Sequence, residues 1–147
     1  MSQRLDGLER WAVLIVRLFL GFVFVMHGSQ KLFGAFGGSG VTGLAAYFAK
    51  FGIEPSAVWA WVVTITEFFG GLCIFFGVLT RFWAVGLVID MTVAVLKVHV
   101  PNGFFWSKGG LEFPLTLGVL ALVLVLTGPS VLAVDQAIGL ERRTEKP

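Results

Sequence analysis

Four apolar runs limit what this chain can become: Trp11 to Gly28, Ala57 to Leu79, Phe82 to Val98 and Leu111 to Thr127. As helices they would be about 25 to 34 Å long, against a hydrocarbon core of about 30 Å. The runs are too long and too continuous for alternating strands, and backbone polar groups in lipid must be satisfied within a helix or a closed barrel. The expected fold is therefore all-α: a single integral membrane domain, a four-helix bundle spanning residues 1–147. With 56% hydrophobic and 14% charged residues, the composition suits lipid rather than water. The formal net charge of +2 provides no basic surface for nucleic acid. Cys73 is the single cysteine, which excludes an internal disulfide and paired-thiol redox chemistry within one chain. Arg4 and Arg10 precede the first run, but HGSQKLFG follows it without a small-x-small cleavage pattern, so an uncleaved first span is expected.

The segments between the runs set the topology. Thr80 and Arg81 leave room only for a tight antiparallel hairpin between the second and third spans. After the first span comes the glycine-rich GAFGGSGVTG, then LAAYFAKFGIEP, expected as a short interfacial helix from near Thr42 to Gly52. VPNGFFWSKGG, between the third and fourth spans, joins a Pro-Asn-Gly turn to aromatic residues suited to the membrane interface. Arg4, Arg10, Arg17, Arg81, Arg142, Arg143 and Lys146 fall on one side, and Lys31, Lys50, Lys97 and Lys108 on the other. The positive-inside rule then puts both termini in the cytoplasm. SVLAVDQAIGL is expected to continue as a helix along the inner interface, ahead of a charged tail. A short echo between halves, HGSQKLF against HVPNGFF and TEFFGG against LEFP, hints at a parallel repeat.

Charged groups inside spans cost about 2.5 to 3.5 kcal/mol each on insertion scales, so each needs a reason. Arg17 lies about two turns inside the first span and is expected to snorkel to the headgroups. Glu67 sits mid-span, beyond the reach of headgroups, and must be protonated, paired or beside a polar cavity. Thr64, Gly70 and Gly71 share its helical face, a small stripe that could pack a helix or admit a ligand. Asp90 is equally deep, with Lys97 two turns along the same face and His99 at the end of that helix. His27 and Lys31 stand at i, i+4 at the outer end of the first span. Glu112 opens the fourth span just before Pro114, where capping competes with a ligand role. His27, Lys31, Lys97, His99, Asn102 and Glu112 thus map to the outer third, with Glu67 and Asp90 below them. The expected result is an outward-opening polar pocket between the helices, descending to Glu67.

The stretches RLFLGFVFVMHGSQKLFG, TEFFGGLCIFFGVLTR and VHVPNGFFWSKGGLEFPL, with the glycine-rich segment after the first, resemble the DoxX family of small four-helix membrane proteins. The resemblance runs from about Arg17 to Gly128. It implies an inner-membrane location in a bacterium or archaeon and an association with membrane oxidoreductase systems, including a thiosulfate-to-quinone branch and a complex linked to oxidative and thiol stress. More distant relatives assist the assembly of other membrane proteins. The quinone branch usually comes with a partner subunit or an added domain.

Two functions stay open. In the first, a quinone-linked redox subunit, Glu67 and His27 exchange protons with a quinone head group and Lys31, Asp90, Lys97, His99, Asn102 and Glu112 line the pocket; a carboxyl and an imidazole are suitable chemical types for this. No flavin, dinucleotide or iron–sulfur motif is present, so electrons would come from a partner subunit. In the second, a non-catalytic anchor or assembly partner, Glu67 is paired inside a dry core with no ligand cavity. Two histidines on different helices are weak support for haem or metal, and neither is expected. Solute transport is disfavoured because no pair of broken half-helices marks a midplane site. The expected surroundings are the lipid bilayer and a protein partner or second copy.

Overall fold

In the computed structural model, which describes residues 2–140, every regular element is helical. Helix α1 runs Ser2–Phe33, α2 Gly40–Lys50, α3 Ser56–Phe76, α4 Thr80–Val93 and α5 Glu112–Thr127, and α6 is a single turn, Val134–Ala137. A π-helical turn, Ala94–His99, and a 3-10 turn, Val100–Asn102, prolong α4. Gly7–Leu32, Ser56–Phe76 and Thr80–Asn102 are long and apolar enough to cross a membrane; α5 is apolar but shorter, at 16 residues. The short helix expected from Thr42 is present as α2, with Phe51 as its C-cap. The second span ends at Phe76, earlier than expected, because Gly77 and Leu79 take left-handed φ of 73° and 46° to turn the hairpin.

Small residues decide how the helices meet. A Cβ added at Gly28 would lie 2.5 Å from Phe68 N, and one at Gly71 would lie 2.8 Å from Val25 N. Only glycine lets α1 and α3 approach this closely, the membrane analogue of a small-residue seam. Leu20, Phe24, Ile74, Leu87, Leu117 and Leu124 then interlock as a core drawn from α1, α3, α4 and α5. Large apolar side chains such as Phe19, Trp61, Phe69, Phe82 and Leu126 face outward. In lipid that surface is solvated, whereas in water so much of it would be an aggregation hazard.

At the hairpin end, two sequence expectations are corrected. Arg17 does not snorkel: it is 1% exposed, and its Nη1 donates to Pro129 O (2.5 Å) and Val131 O (3.1 Å) while Nη2 donates to Leu132 O (2.9 Å). Ser130 and Leu132 adopt left-handed φ of 61° and 53°, which curls the chain so that its carbonyls meet the guanidinium fork. For the same reason SVLAVDQAIGL is not a helix along the interface; it forms a folded strap with only the turn of α6. Asp135, buried, accepts from Leu79 N (3.0 Å) and Thr80 N (3.3 Å), capping the start of α4. Arg81 also does more than mark topology, donating to Val125 O (2.6 Å) and Leu126 O (3.2 Å) at the end of α5. Arg142, Arg143, Lys146 and the rest of the charged tail lie outside the described residues.

Candidate functional site

Glu67 sits in the middle of α3, on the buried face it shares with Thr64, Gly70 and Gly71. The glycine seam draws α1 so near to that face that Lys31, in the last turn of α1, reaches across and forms an ion pair with Glu67. Thr64 is not a further partner, since its hydroxyl donates to Ala60 O (2.7 Å) within its own helix. The carboxylate is buried, while the Lys31 side chain keeps about 22% of its surface. Of the sequence alternatives for Glu67, pairing with Lys31 is the arrangement present.

Asp90, on α4, brings a second carboxyl group within electrostatic reach of both Glu67 and Lys31. Its Oδ2 is buried, and no N–H or hydroxyl group donates to it among the described residues. One ammonium therefore faces two carboxyl groups, which also lie within hydrogen-bond reach of each other.

These groups border a cavity of about 560 Å³, inside the range of about 300–1,000 Å³ usual for small-molecule sites. His27, Lys31, Glu67, Asp90, Lys97 and His99 all line it. The rest of the wall is mainly apolar and rich in rings, including Phe24, Tyr47, Trp59, Trp106 and Phe113. His27 lies 5.7 Å from Phe113, centroid to centroid, and Trp106 lies 5.1 Å from the same ring. The π-helical turn contributes Lys97 and His99, a local distortion of a kind that recurs at binding sites. His99 Nδ1 donates to Gly109 O (2.7 Å).

Asn102 and Glu112 are not brought to the cavity. Asn102 Nδ2 donates to Gly109 O (3.2 Å), and Glu112 Oε2 accepts from Trp106 N (3.0 Å). Both close the aromatic loop between α4 and α5, as does the Glu112 N bond to Phe104 O (2.9 Å). The Glu112 carboxylate thus binds a loop amide and not the N–H groups of its own helix, so the structure shows neither the expected capping nor a place in the cavity wall.

Sequence reasoning missed the contribution of α2, whose Leu44 and Tyr47 form part of the wall. A second hollow, of about 410 Å³, lies along α2 and includes Gln30, Lys31, Ser39 and Lys50, so Lys31 borders both spaces. Thr66 and Gly86 were also missed, and they shape the mouth. A Cβ on Gly86 would lie 3.1 Å from Thr66 Cγ2, and one on Gly70 would lie 2.9 Å from Trp83, so α3 and α4 touch at these levels. Beyond them the cavity separates the two helices, bordered by Trp59 and Val62 on α3 and Ile89 and Val93 on α4. All four are exposed as well as lining the cavity, so the cavity opens between α3 and α4. Among the described residues, no three His, Cys, Asp or Glu side chains converge to hold a metal ion.

The DoxX family model matches residues 12–100. A Bacillus subtilis protein, "Putative oxidoreductase CatD", is 31% identical over 122 residues, covering 83% of each chain. A Haemophilus influenzae protein is 29% identical over 135 residues, covering 86% of this chain and 83% of its own. A membrane protein of Mycobacterium tuberculosis is 32% identical over 103 residues, covering 67% of this chain and 60% of its own. No solved structure matches the chain.

Proposed function

Because the chain belongs to the DoxX family of membrane proteins, we propose that it is a quinone-linked subunit of an inner-membrane oxidoreductase or redox-stress complex. In this reading α1, α3, α4 with its extension, and α5 are four spans of one domain, with both termini cytoplasmic. The polar end of the cavity then faces the outer half of the bilayer. One observation carries the proposal: a buried Lys31–Glu67 pair, with Asp90 beside it, at the polar end of an otherwise apolar and ring-lined cavity. A non-catalytic anchor would have no use for such a space, and charges retained at this depth usually mark function.

The donor set fits a quinone head group. Lys31 can donate to a ring carbonyl, Glu67 and His27 can exchange protons with it, and the rings can flank its face. Reduction of a quinone takes up electrons and protons together. The electrons would come from a partner subunit, while this chain's residues bind, orient and move protons. Glu67→Gln is expected to weaken the redox phenotype of cells at least about tenfold while the protein still inserts. His27→Ala and Glu67→Ala should be non-additive if both meet one ligand. An unchanged phenotype in Glu67→Gln removes this carboxylate from the mechanism.

A further inference from the structure

Two acidic groups inside the bundle are set against each other rather than against donors. The carboxyl groups of Glu67, on α3, and Asp90, on α4, lie within hydrogen-bond reach of each other. Among the described residues no N–H or hydroxyl group donates to the buried Asp90 Oδ2. Bare carboxylates offer only acceptor oxygens and repel at this distance, so a hydrogen bond between them requires a proton on one. Asp135, at the other end of the bundle, shows the contrast, since its buried carboxylate accepts from two backbone N–H groups. Which group holds the proton follows from Lys31, whose Nζ meets Glu67 Oε2. An ammonium pairs with a carboxylate, so Glu67 carries the charge and Asp90 the proton. The other titratable groups on the cavity wall are His27 on α1, Tyr47 on α2, Glu54 ahead of α3, and Lys97 and His99 in the extension of α4. Glu54 is exposed and accepts from Ser56 N (2.8 Å), so it stands apart from the trio.

We propose that Asp90 is a neutral acid donating to the Glu67 carboxylate, so that Lys31, Glu67 and Asp90 form one neutral unit that stores a single transferable proton at the polar end of the cavity. A unit without net charge is the form that a low-dielectric interior tolerates best. Asp90 acts through Glu67, which lines the cavity. The stored proton moves from Asp90 to Glu67 and on to a basic ligand oxygen. The Asp90 O–H bond is lost, a ligand O–H bond forms, and the unit keeps one negative charge beside Lys31. That use of the proton rests on the quinone-linked reading above, in which the oxygen belongs to the head group; the presence of the proton does not.

Infrared spectroscopy of the purified full chain at neutral pH tests the proton directly, in dodecyl maltoside because that detergent has no ester carbonyl. A protonated carboxyl has its own carbonyl stretch, apart from the carboxylate bands and shifted in heavy water. The wild-type chain is expected to show such a band and Asp90→Asn to lose it, since the amide still donates to Glu67 but holds no acidic proton. Glu67→Gln should lose it too, because Asp90 then has Lys31 to itself. The amide bands report the helix content of each variant, and the wild-type spectrum speaks without any variant. In cells, Asp90→Asn should weaken the redox phenotype as much as Glu67→Gln, with the double variant no worse than either. No such band in the wild-type chain, or a band that survives Asp90→Asn, overturns the proposal. The expected bands together with an unimpaired phenotype in Asp90→Asn overturn its role as a proton source. The expected bands in a chain that carries no quinone leave the stored proton standing and overturn the quinone-linked reading alone.

Discussion

At the scale of single residues, the molecule rests on a few buried charges whose partners are fixed by geometry. Removing Lys31 leaves the buried Glu67 without its counter-charge, so Lys31→Met is expected to lower stability by about 3–5 kcal/mol, and Lys31→Met with Glu67→Gln by much less. Thermal melting of the purified variants in detergent checks this; equal losses would mean that the pair is not coupled. Arg17 holds its carbonyls with a planar fork, so Arg17→Lys should melt nearly as early as Arg17→Met, and a lysine variant as stable as the wild type would contradict that reading. Glu67 was legible in the sequence because a carboxyl amid apolar residues has few explanations. Its partner was not, because Lys31 lies 36 positions away and only the register of α1 against α3 selects it. Arg17 was misread for a related reason: a span sequence shows the distance to the headgroups but not a strap folding back to meet the side chain. Asn102 and Glu112 sit at the correct end of the bundle, yet their loop uses them for its own backbone.

At the scale of elements, the seam between α1 and α3 positions the site, and its glycines can be tested directly. A methyl group at Gly28 would collide with the Phe68 backbone. Gly28→Ala should therefore cost about 1–3 kcal/mol and loosen the Lys31–Glu67 contact. A melting curve unchanged from the wild type would show that the seam relaxes without cost. Asp135 ties the strap to the hairpin, and Asp135→Ala should cost about 0.5–2 kcal/mol, the usual worth of a helix cap. Three long apolar helices and a shorter fourth were legible from apolar length alone, and the hairpin from the short connection at Thr80 and Arg81. The strap was not, because left-handed residues at Ser130 and Leu132 carry no glycine signal. The π-helical turn was equally hidden, since Ala94–His99 reads as ordinary helix by composition.

At the scale of the whole molecule, apolar helices enclose a ring-lined, mainly apolar chamber with one polar end. The proposed orientation predicts that Ser107→Cys and Gln136→Cys, each in a Cys73→Ser background, are labelled from opposite sides of the membrane. Labelling from the same side would refute the four-span arrangement. The all-helical class followed from the hydropathy of the chain, and the gathering of His27, Lys31, Glu67, Asp90, Lys97 and His99 followed from their shared level along the spans. The sideways mouth could not be read there, because it depends on where α3 and α4 part after Thr66 and Gly86. The central claim is that this chamber holds a lipid-soluble quinone, and mass spectrometry of organic extracts from gently purified protein tests it most directly. The account predicts a stoichiometric quinone in the wild-type chain that is lost in Glu67→Ala. Absence of quinone from both, in protein that still co-purifies with a partner, would contradict it and assign the chain to anchoring or assembly.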